Sequence, residues 1–288
     1  MRYHISNRSL AIEVNEVGAE LCSFKDLSTN TELLWQAGPA WERHAPILFP
    51  MVGQVKDNEY QVAGQTYSMT RHGFARHSTF QLHDSSDQHL VFLLSDSAES
   101  REQYPFHFRF LVSYFLIGKK LRITYSVENP ASSDMWFSVG AHPAFKCPIL
   151  ETESYHDYDL IFEKQETKET NLLKDGLFDG QTAPMLNNQS VLRVTHELFS
   201  RDALVFHDLE SDWIELKSRV SGKGVRLTAI DWPYYGIWAK TNGDFVCLEP
   251  WYGRSDDTDV SGDWTEKPGI IQLGGAQTWS AFYEIEAL

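Results

Sequence analysis

Three segments of the sequence place ionisable residues among apolar residues, glycine and proline: residues 70–76 (TRHGFAR), 137–145 (FSVGAHPAF) and 245–253 (FVCLEPWYG). In the second and third segments, His142 and Glu249 each end an apolar, strand-like run and are followed at once by proline. Because proline cannot donate to a β-ladder, we expect each side chain at the end of its strand. A strand end on a rigid sheet is a good mount for a catalytic group, so these segments are candidate sites.

Each candidate also has an ordinary structural explanation. A single histidine such as His142 or His72 in a β protein often lies on the surface or is hydrogen-bonded in the core. A glutamate in an apolar run, such as Glu249, is costly unless it is paired or takes part in chemistry. Three such segments in one chain favour a functional site, but only the tertiary fold can bring them together.

The elements that must position these residues are strands. Short alternations of apolar and polar residues recur along the chain, rich in β-branched and aromatic side chains, and Gly, Asn, Asp and Pro separate them. Residues 108–117 and 120–128 are typical of a long hairpin around Gly118-Lys119, and residues 60–69 of a shorter one. Helix signals are few: residues 97–104 begin with a Ser cap and stop at proline, and residues 196–202 could hold one turn.

The strand pattern also indicates the fold class. There is no regular βαβ alternation, so a doubly wound parallel sheet and a TIM barrel are disfavoured. We therefore expect an all-β protein, a large antiparallel β-sandwich of two packed sheets. No Pro/Gly/Ser-rich linker and no internal repeat divides the chain, so residues 1–288 are predicted to form a single domain.

Composition excludes several classes of function. The 288 residues are 42% hydrophobic and 23% charged, which is ordinary for a globular chain, and the formal net charge of −15 opposes binding to nucleic acid or an anionic membrane. No apolar signal segment is visible at the N-terminus. The three cysteines are far apart and form no CxxC pair, so neither a disulfide scaffold nor a zinc knuckle is expected. These features together favour a cytoplasmic setting.

The three segments, in this order, resemble the aldose 1-epimerase (galactose mutarotase) family, in particular its LacX-like branch. The motifs are Arg-His-Gly-Phe-Ala-Arg at 71–76, Gly-Ala-His-Pro-Ala-Phe at 140–145 and Leu-Glu-Pro-Trp-Tyr-Gly at 248–253. Supporting matches at residues 12–26 and 43–50 extend the resemblance over essentially the whole chain. It implies a supersandwich of antiparallel sheets with a sugar in an open cleft, in agreement with the strand pattern.

The resemblance also implies a role for each residue that matches a family motif. Glu249 matches the general base that acts on the anomeric hydroxyl, His142 the general acid that acts on the ring oxygen, and His72 a second histidine near that oxygen. For substrate binding, Asp202 matches an aspartate that hydrogen-bonds sugar hydroxyls, with turn capping as the alternative. Arg43 matches a sugar-binding arginine, with a rim salt bridge as the alternative.

The implied reaction is the interconversion of α and β anomers of a free hexose. It needs one proton removed from the C1 hydroxyl and one delivered to the ring oxygen, so no cofactor or metal is expected. We expect Glu249 to be ionised and His142 protonated near neutral pH. One or two of the nearby aromatic residues should face the apolar side of a pyranose, the candidates being Phe74, Trp136, Phe145, Trp238 and Trp251. The protein should act as a monomer or homodimer on a small-molecule aldose, without a nucleic-acid or membrane partner.

Other functions remain open at this point. Arg71 and Arg76 flank His72 in the first motif. These arginines also resemble those that hold a phosphate in hexose-6-phosphate mutarotases. Arg71 is therefore a further candidate for substrate binding. A catalytically silent carbohydrate-binding protein could use the same fold. Glycoside hydrolysis usually uses two carboxylates, which an Asp/Glu-rich chain could supply. The HELFS string at 196–200 lacks the second histidine of a metalloprotease helix, and no nucleotide-binding glycine loop is present.

Overall fold

The computed structural model describes residues 1–288, and almost all of its regular structure is β-strand. The strands are β1 (Arg2–Ser6), β2 (Leu10–Asn15), β3 (Leu21–Asp26), β4 (Thr31–Glu32), β5 (Ile47–Leu48), β6 (Glu59–Val62), β7 (Gln65–Ser68), β8 (Gln81–Ser85), β9 (His89–Ser95), β10 (Arg109–Ile117), β11 (Lys120–Glu128), β12 (Met135–Phe137), β13 (Val139–Ala141), β14 (Ala144–Lys146), β15 (Tyr158–Lys174), β16 (Leu177–Arg193), β17 (Leu204–His207), β18 (Trp213–Ser218), β19 (Gly224–Thr228), β20 (Tyr234–Trp238), β21 (Phe245–Tyr252), β22 (Ile271–Leu273) and β23 (Thr278–Ala287).

Helical structure is confined to one short α-helix and five single turns. The α-helix, α1 (Ala98–Gln103), begins after Ser97, whose side chain accepts a hydrogen bond from the backbone N–H of Ser100 and caps the first turn. The 3₁₀ turns are Lys56–Asn58, Ala75–His77, Tyr155–Asp157, His196–Phe199 and Trp264–Glu266. Both helical segments predicted from the sequence are therefore confirmed. No helix is long and apolar enough to span a bilayer.

Two large sheets dominate the architecture. One has nine strands in the order β16-β15-β18-β19-β23-β11-β10-β9-β8, and the other has six, in the order β17-β20-β21-β13-β5 with β14 also paired to β21. A four-stranded sheet (β1–β4) and two two-stranded sheets complete the structure, and the pairings between strands are antiparallel. The antiparallel sandwich expected from the alternating pattern is confirmed.

The hairpins predicted from local alternation have the expected bounds. β10 and β11 pair from Arg109↔Glu128 to Ile117↔Lys120, and β6 pairs with β7 around Ala63-Gly64. Along β10 and β11 every second side chain is buried, which fixes their register against the core.

A core of 64 buried residues joins the two large sheets. Phe49, which follows β5 of the six-stranded sheet, stacks on Phe110 of the nine-stranded sheet with ring centroids 4.4 Å apart. This packing makes the six-stranded sheet a rigid platform, and its other face carries the candidate site.

Candidate functional site

His142 lies in a break between two strands. β13 ends at Ala141 and β14 begins at Ala144, and both pair with β21, so residues 142 and 143 bridge the gap between them. The expectation that His142 ends its strand is confirmed. Pro143 cannot donate to the ladder, but its carbonyl accepts a hydrogen bond from the backbone N–H of Leu248.

Glu249 is placed differently from the expectation. β21 does not stop at Pro250 but continues to Tyr252, so Glu249 lies inside the strand, opposite Gly236 of β20. The reason is the same break: β14 pairs with residues 245–247 of β21 and β13 with residues 251–252. Pro250 therefore occupies a position where no ladder hydrogen bond is needed on that side. The break between β13 and β14 thus faces Glu249 directly.

This arrangement brings the two ionisable groups together. The Nε2 atom of His142 lies 3.3 Å from Oε2 of Glu249, and Glu249 is only 1% exposed. The His142 ring stacks on Trp41, with centroids 5.0 Å apart, and meets the ring of Trp238 edge to face. The imidazole is thereby held beside the carboxylate by aromatic rings on two sides.

His72 completes the group from a separate loop. Its ring lies 5.7 Å from that of His142 and almost perpendicular to it. The backbone N–H of Gly53 donates to Nδ1 of His72 at 3.1 Å, so the neutral ring carries its proton on Nε2. His72 has a φ of +67°, and the backbone of the next residue, Gly73, passes so close to Phe49 that only glycine fits there.

The three groups line one open cleft with a volume of about 200 Å³. Its lining residues are Trp41, Pro46, Gly53, Arg71, His72, Arg76, His142, Leu173, Gly176, Asp202, Ala203, Trp238, Glu249, Trp251 and Ser255. Of the five aromatic residues proposed as sugar contacts, Trp238 and Trp251 are in this lining, whereas Phe74, Trp136 and Phe145 are not. Trp41 is a third aromatic wall that the sequence analysis missed.

Burial opposes charge on both members of the pair. It raises the pKa of the Glu249 carboxyl well above its usual range, and Asp202 raises it further. It lowers the pKa of His142 to about 3 and that of His72 well below its ordinary value. The directions of both shifts run against the expected pairing of an ionised Glu249 with a protonated His142, because burial removes the solvent that would stabilise the charges.

The substrate-binding candidates lie at different distances from the pair. Arg71 and Asp202 line the cleft, whereas Arg43 lies outside the lining, with its guanidinium 3.4 Å from the ring of His77. Asp202 has a φ of +93°, and its carboxylate also accepts the backbone N–H of Ala203, so it shapes its own turn while facing the cleft. The salt bridge considered as the alternative for Arg43 does not form, since its polar partner is a histidine.

The long β15–β16 hairpin supplies a wall that the sequence analysis did not predict. Leu173 and Gly176 at its tip line the cleft, and Gly176 packs so closely on the Arg71 guanidinium that a Cβ there would lie 2.1 Å from it. Phe178 anchors the tip, buried beneath the Arg254 guanidinium. The Asp175-Gly176 dipeptide was the one local signal for this hairpin.

Cys247 is a buried neighbour of the pair. It lies two residues before Glu249 on β21, so the two side chains share a face, and their polar atoms and one of His142 lie within 4.8 Å of one another. Burial raises the pKa of the Cys247 thiol well above its ordinary value, which disfavours the thiolate that binds a metal.

Comparisons with known proteins agree with the fold and the cleft. A family model described as aldose 1-epimerase matches residues 1–262. The plasmid-encoded and chromosomal LacX proteins of Lactococcus lactis subsp. lactis are each 34% identical over 299 residues and are matched over the full length of both chains.

Solved structures give the same result. A galactose mutarotase related enzyme from Lactobacillus acidophilus superposes with a TM-score of 0.96 at 33% identity, over 100% of this chain and 97% of that one. A galactose mutarotase-like protein from Lactobacillus casei superposes with a TM-score of 0.93 at 29% identity over the whole of both chains. The chain described here is therefore an isomerase that belongs to the aldose 1-epimerase family.

Proposed function

We propose that this protein interconverts the α and β anomers of an aldose, with residues 1–288 acting as one sugar-binding catalytic domain. The observation that carries the proposal is the 3.3 Å approach of His142 to Glu249 inside a cleft with indole walls. The two oxygens that exchange protons in mutarotation are bonded to the same carbon, C1. An acid and a base that serve them must therefore lie close together.

In the proposed mechanism, Glu249 is the base and His142 the acid. Glu249 removes the proton from the C1 hydroxyl while His142 delivers a proton to the ring oxygen. The C1–O5 bond breaks, the aldehyde rotates about C1–C2, and the ring closes on its other face by the reverse transfers. His72 offers its Nε2 proton as a second donor near the ring oxygen, and Arg71 and Asp202, which line the cleft, bind the remaining hydroxyls.

The charge state of the empty cleft is compatible with this cycle. The cycle needs one proton more than carboxylate plus neutral imidazole, and that proton can sit on either member of the pair. Ring opening starts from carboxylate and imidazolium and ends with carboxyl and neutral imidazole, which is the form that burial favours. Each positioned group contributes about 10²–10⁴-fold, so the two together lower the barrier by about 5–11 kcal/mol.

A second candidate substrate class is a hexose 6-phosphate. Arg43, Arg71 and Arg76 lie near one another, and burial, followed by repulsion from Arg43 and Arg71, lowers the pKa of Arg76 to about 10. The polar partners of Arg43 and Arg76 are a histidine ring and the backbone carbonyl of Arg71, not carboxylates. Uncompensated guanidinium groups in a chain of net charge −15 favour an anionic group on the substrate.

The test is a screen of anomer exchange by NMR across free hexoses and their 6-phosphates. Acceleration of exchange for at least one aldose is expected, and it should disappear when Glu249 is replaced by Gln. Binding of an aldose without accelerated exchange would support the carbohydrate-binding alternative instead. Release of reducing ends from oligosaccharides would indicate glycoside hydrolysis.

A further inference from the structure

Trp251 lies flat on the floor of the cleft, two residues after Glu249 on β21. Side chains two apart on a strand share a face, so the indole and the carboxylate both point into the cleft. The ring covers two glycines on the flanking strands. A Cβ on Gly140 of β13 would lie 2.6 Å from the indole Cδ1, and one on Gly236 of β20 would lie 2.4 Å from Cζ2. Because the two glycines have no side chains, they leave room for a slot that the indole ring occupies.

The indole N–H has no completed hydrogen bond in the empty cleft. Trp251 is 7% exposed, and Nε1 is fully shielded from solvent without an acceptor in hydrogen-bond geometry. Indole N–H groups donate only, and buried ones usually have a partner. Glu249, two residues earlier on the same strand, carries an acceptor: the Trp251 side chain lowers the pKa of the Glu249 carboxyl, against the effect of burial. The N–H therefore lies beside the carboxyl without a completed hydrogen bond.

We propose that Trp251 is a positioning residue for Glu249, donating its indole N–H to the carboxylate when that group is ionised and holding it towards the anomeric hydroxyl. This inference rests on the proposed role of Glu249 as the base. Burial raises the pKa of Glu249 and so disfavours the carboxylate that a base needs. A donor fixed by packing against two glycines stabilises the ionised form without needing to reorganise.

The other titratable or charged groups that face Glu249 from the surrounding elements are His142, Asp202, Arg71, Tyr235 and Cys247. Asp202 raises the pKa of Glu249, whereas Arg71 lowers it by less than Trp251 does. Of these groups only Cys247 also lies on β21, and its thiol is a weak donor. Trp251 is therefore the group on the base's own strand that favours the carboxylate form.

The first test is Trp251→Phe, which keeps an aromatic ring over Gly140 and Gly236 but removes the N–H. We expect kcat for anomer exchange to fall by about 10- to 100-fold with little change in KM, as for loss of a hydrogen bond to a charged group. Because the carboxylate loses a donor, the acidic limb of the pH–rate profile should move to higher pH. Trp213→Phe, on β18 of the nine-stranded sheet and outside the cleft lining, is the matched control and should leave both unchanged. An unchanged rate and pH profile in Trp251→Phe would overturn the proposal.

A double-variant cycle separates this proposal from the function on which it rests. If Trp251 acts through Glu249, adding Trp251→Phe to Glu249→Gln should slow exchange no further. An additional slowing equal to that of the single variant would show a merely structural role and overturn the proposal. A Glu249→Gln variant as fast as the parent would instead refute the assignment of the base.

A third measurement does not depend on the Trp251 variant folding. In protein labelled with ¹⁵N at tryptophan, one of the nine indole N–H signals should shift as Glu249 titrates and should cease to do so in Glu249→Gln. If all nine signals follow the same pH dependence in both proteins, the N–H does not sense the carboxylate and the inference is wrong.

Discussion

His142 and Glu249 meet because a broken strand faces an unbroken one. Nε2 of His142 lies 3.3 Å from Oε2 of Glu249, and the histidine occupies the two-residue gap between β13 and β14 while the glutamate lies within β21, to which both pieces pair. The gap interrupts the ladder pairing at His142, next to Glu249, while the sheet continues on either side of it. A catalytic pair built this way is positioned by ladder hydrogen bonds on both sides.

Replacing either member of the pair should abolish most of the activity. Glu249→Gln and His142→Asn are each expected to lower the rate constant for anomer exchange by at least ~10²-fold, because each removes one proton-transfer group. Sugar should still bind, measured by calorimetry. Glu284→Gln and His89→Asn, which change the same residue types outside the cleft, are the controls. Parent-like exchange in both cleft variants would refute the assignment of roles.

The same glutamate should reduce stability at neutral and alkaline pH. The pKa of Glu249 is raised in the folded protein. The stability that Glu249 contributes is therefore fully present below its unfolded pKa, near 4.5, and is lost as pH rises through its folded pKa. Glu249→Gln should therefore unfold at a higher urea concentration than the parent, by a margin that grows as pH rises. The surface variant Glu284→Gln should show no such gain. A margin independent of pH would contradict the assigned direction.

The arginines near the cleft should distinguish between the two substrate classes. If a hexose 6-phosphate is the substrate, Arg71→Ala should weaken its turnover by about tenfold or more while affecting the free hexose far less, because one charge-assisted contact is lost. Exchange rates of glucose and glucose 6-phosphate in parent and variant give the comparison. Equal loss on both sugars would exclude a phosphate-specific role for Arg71.

The glycine slot beneath Trp251 should be intolerant of a methyl group. Gly236→Ala places a Cβ about 2.4 Å from the indole, so we expect a loss of about 1–3 kcal/mol in unfolding free energy together with slower exchange. Urea titration measures the first effect. In a Trp251→Ala background the same substitution should cost much less, since the clash is gone. An equal cost in both backgrounds would mean that the ring does not occupy the slot.

The hairpin tip should be held over the cleft by Phe178. Phe178→Ala should cost about 3–5 kcal/mol as a buried aromatic lost from beneath Arg254. It should also raise KM, because Leu173 and Gly176 at the same tip line the cleft. Hydrogen exchange of the β15–β16 backbone would report the loosening. Val191→Ala, an exposed position on the same hairpin, should change neither.

The local sequence pattern was sufficient to predict those elements that depend only on neighbouring residues. The β10–β11 hairpin, the cap at Ser97 and the antiparallel class follow from alternation, turn residues and capping within a few residues of chain. Gly176 and Leu173 were missed because residues 163–190 are largely polar. This strand pair therefore lacks the alternation of apolar and polar residues from which the other strands were predicted.

The sequence by itself determined which side chains were available for proton transfer, their order and the β architecture that carries them. Only the tertiary structure decided that Glu249 lies inside a strand, that Arg43 lies outside the cleft lining, and that burial disfavours charge on the pair. Strand partners and exclusion of water are set by residues distant along the chain. The residues around His142 and Glu249 therefore carry no local signal of the break between β13 and β14 or of the glycines on the neighbouring strands.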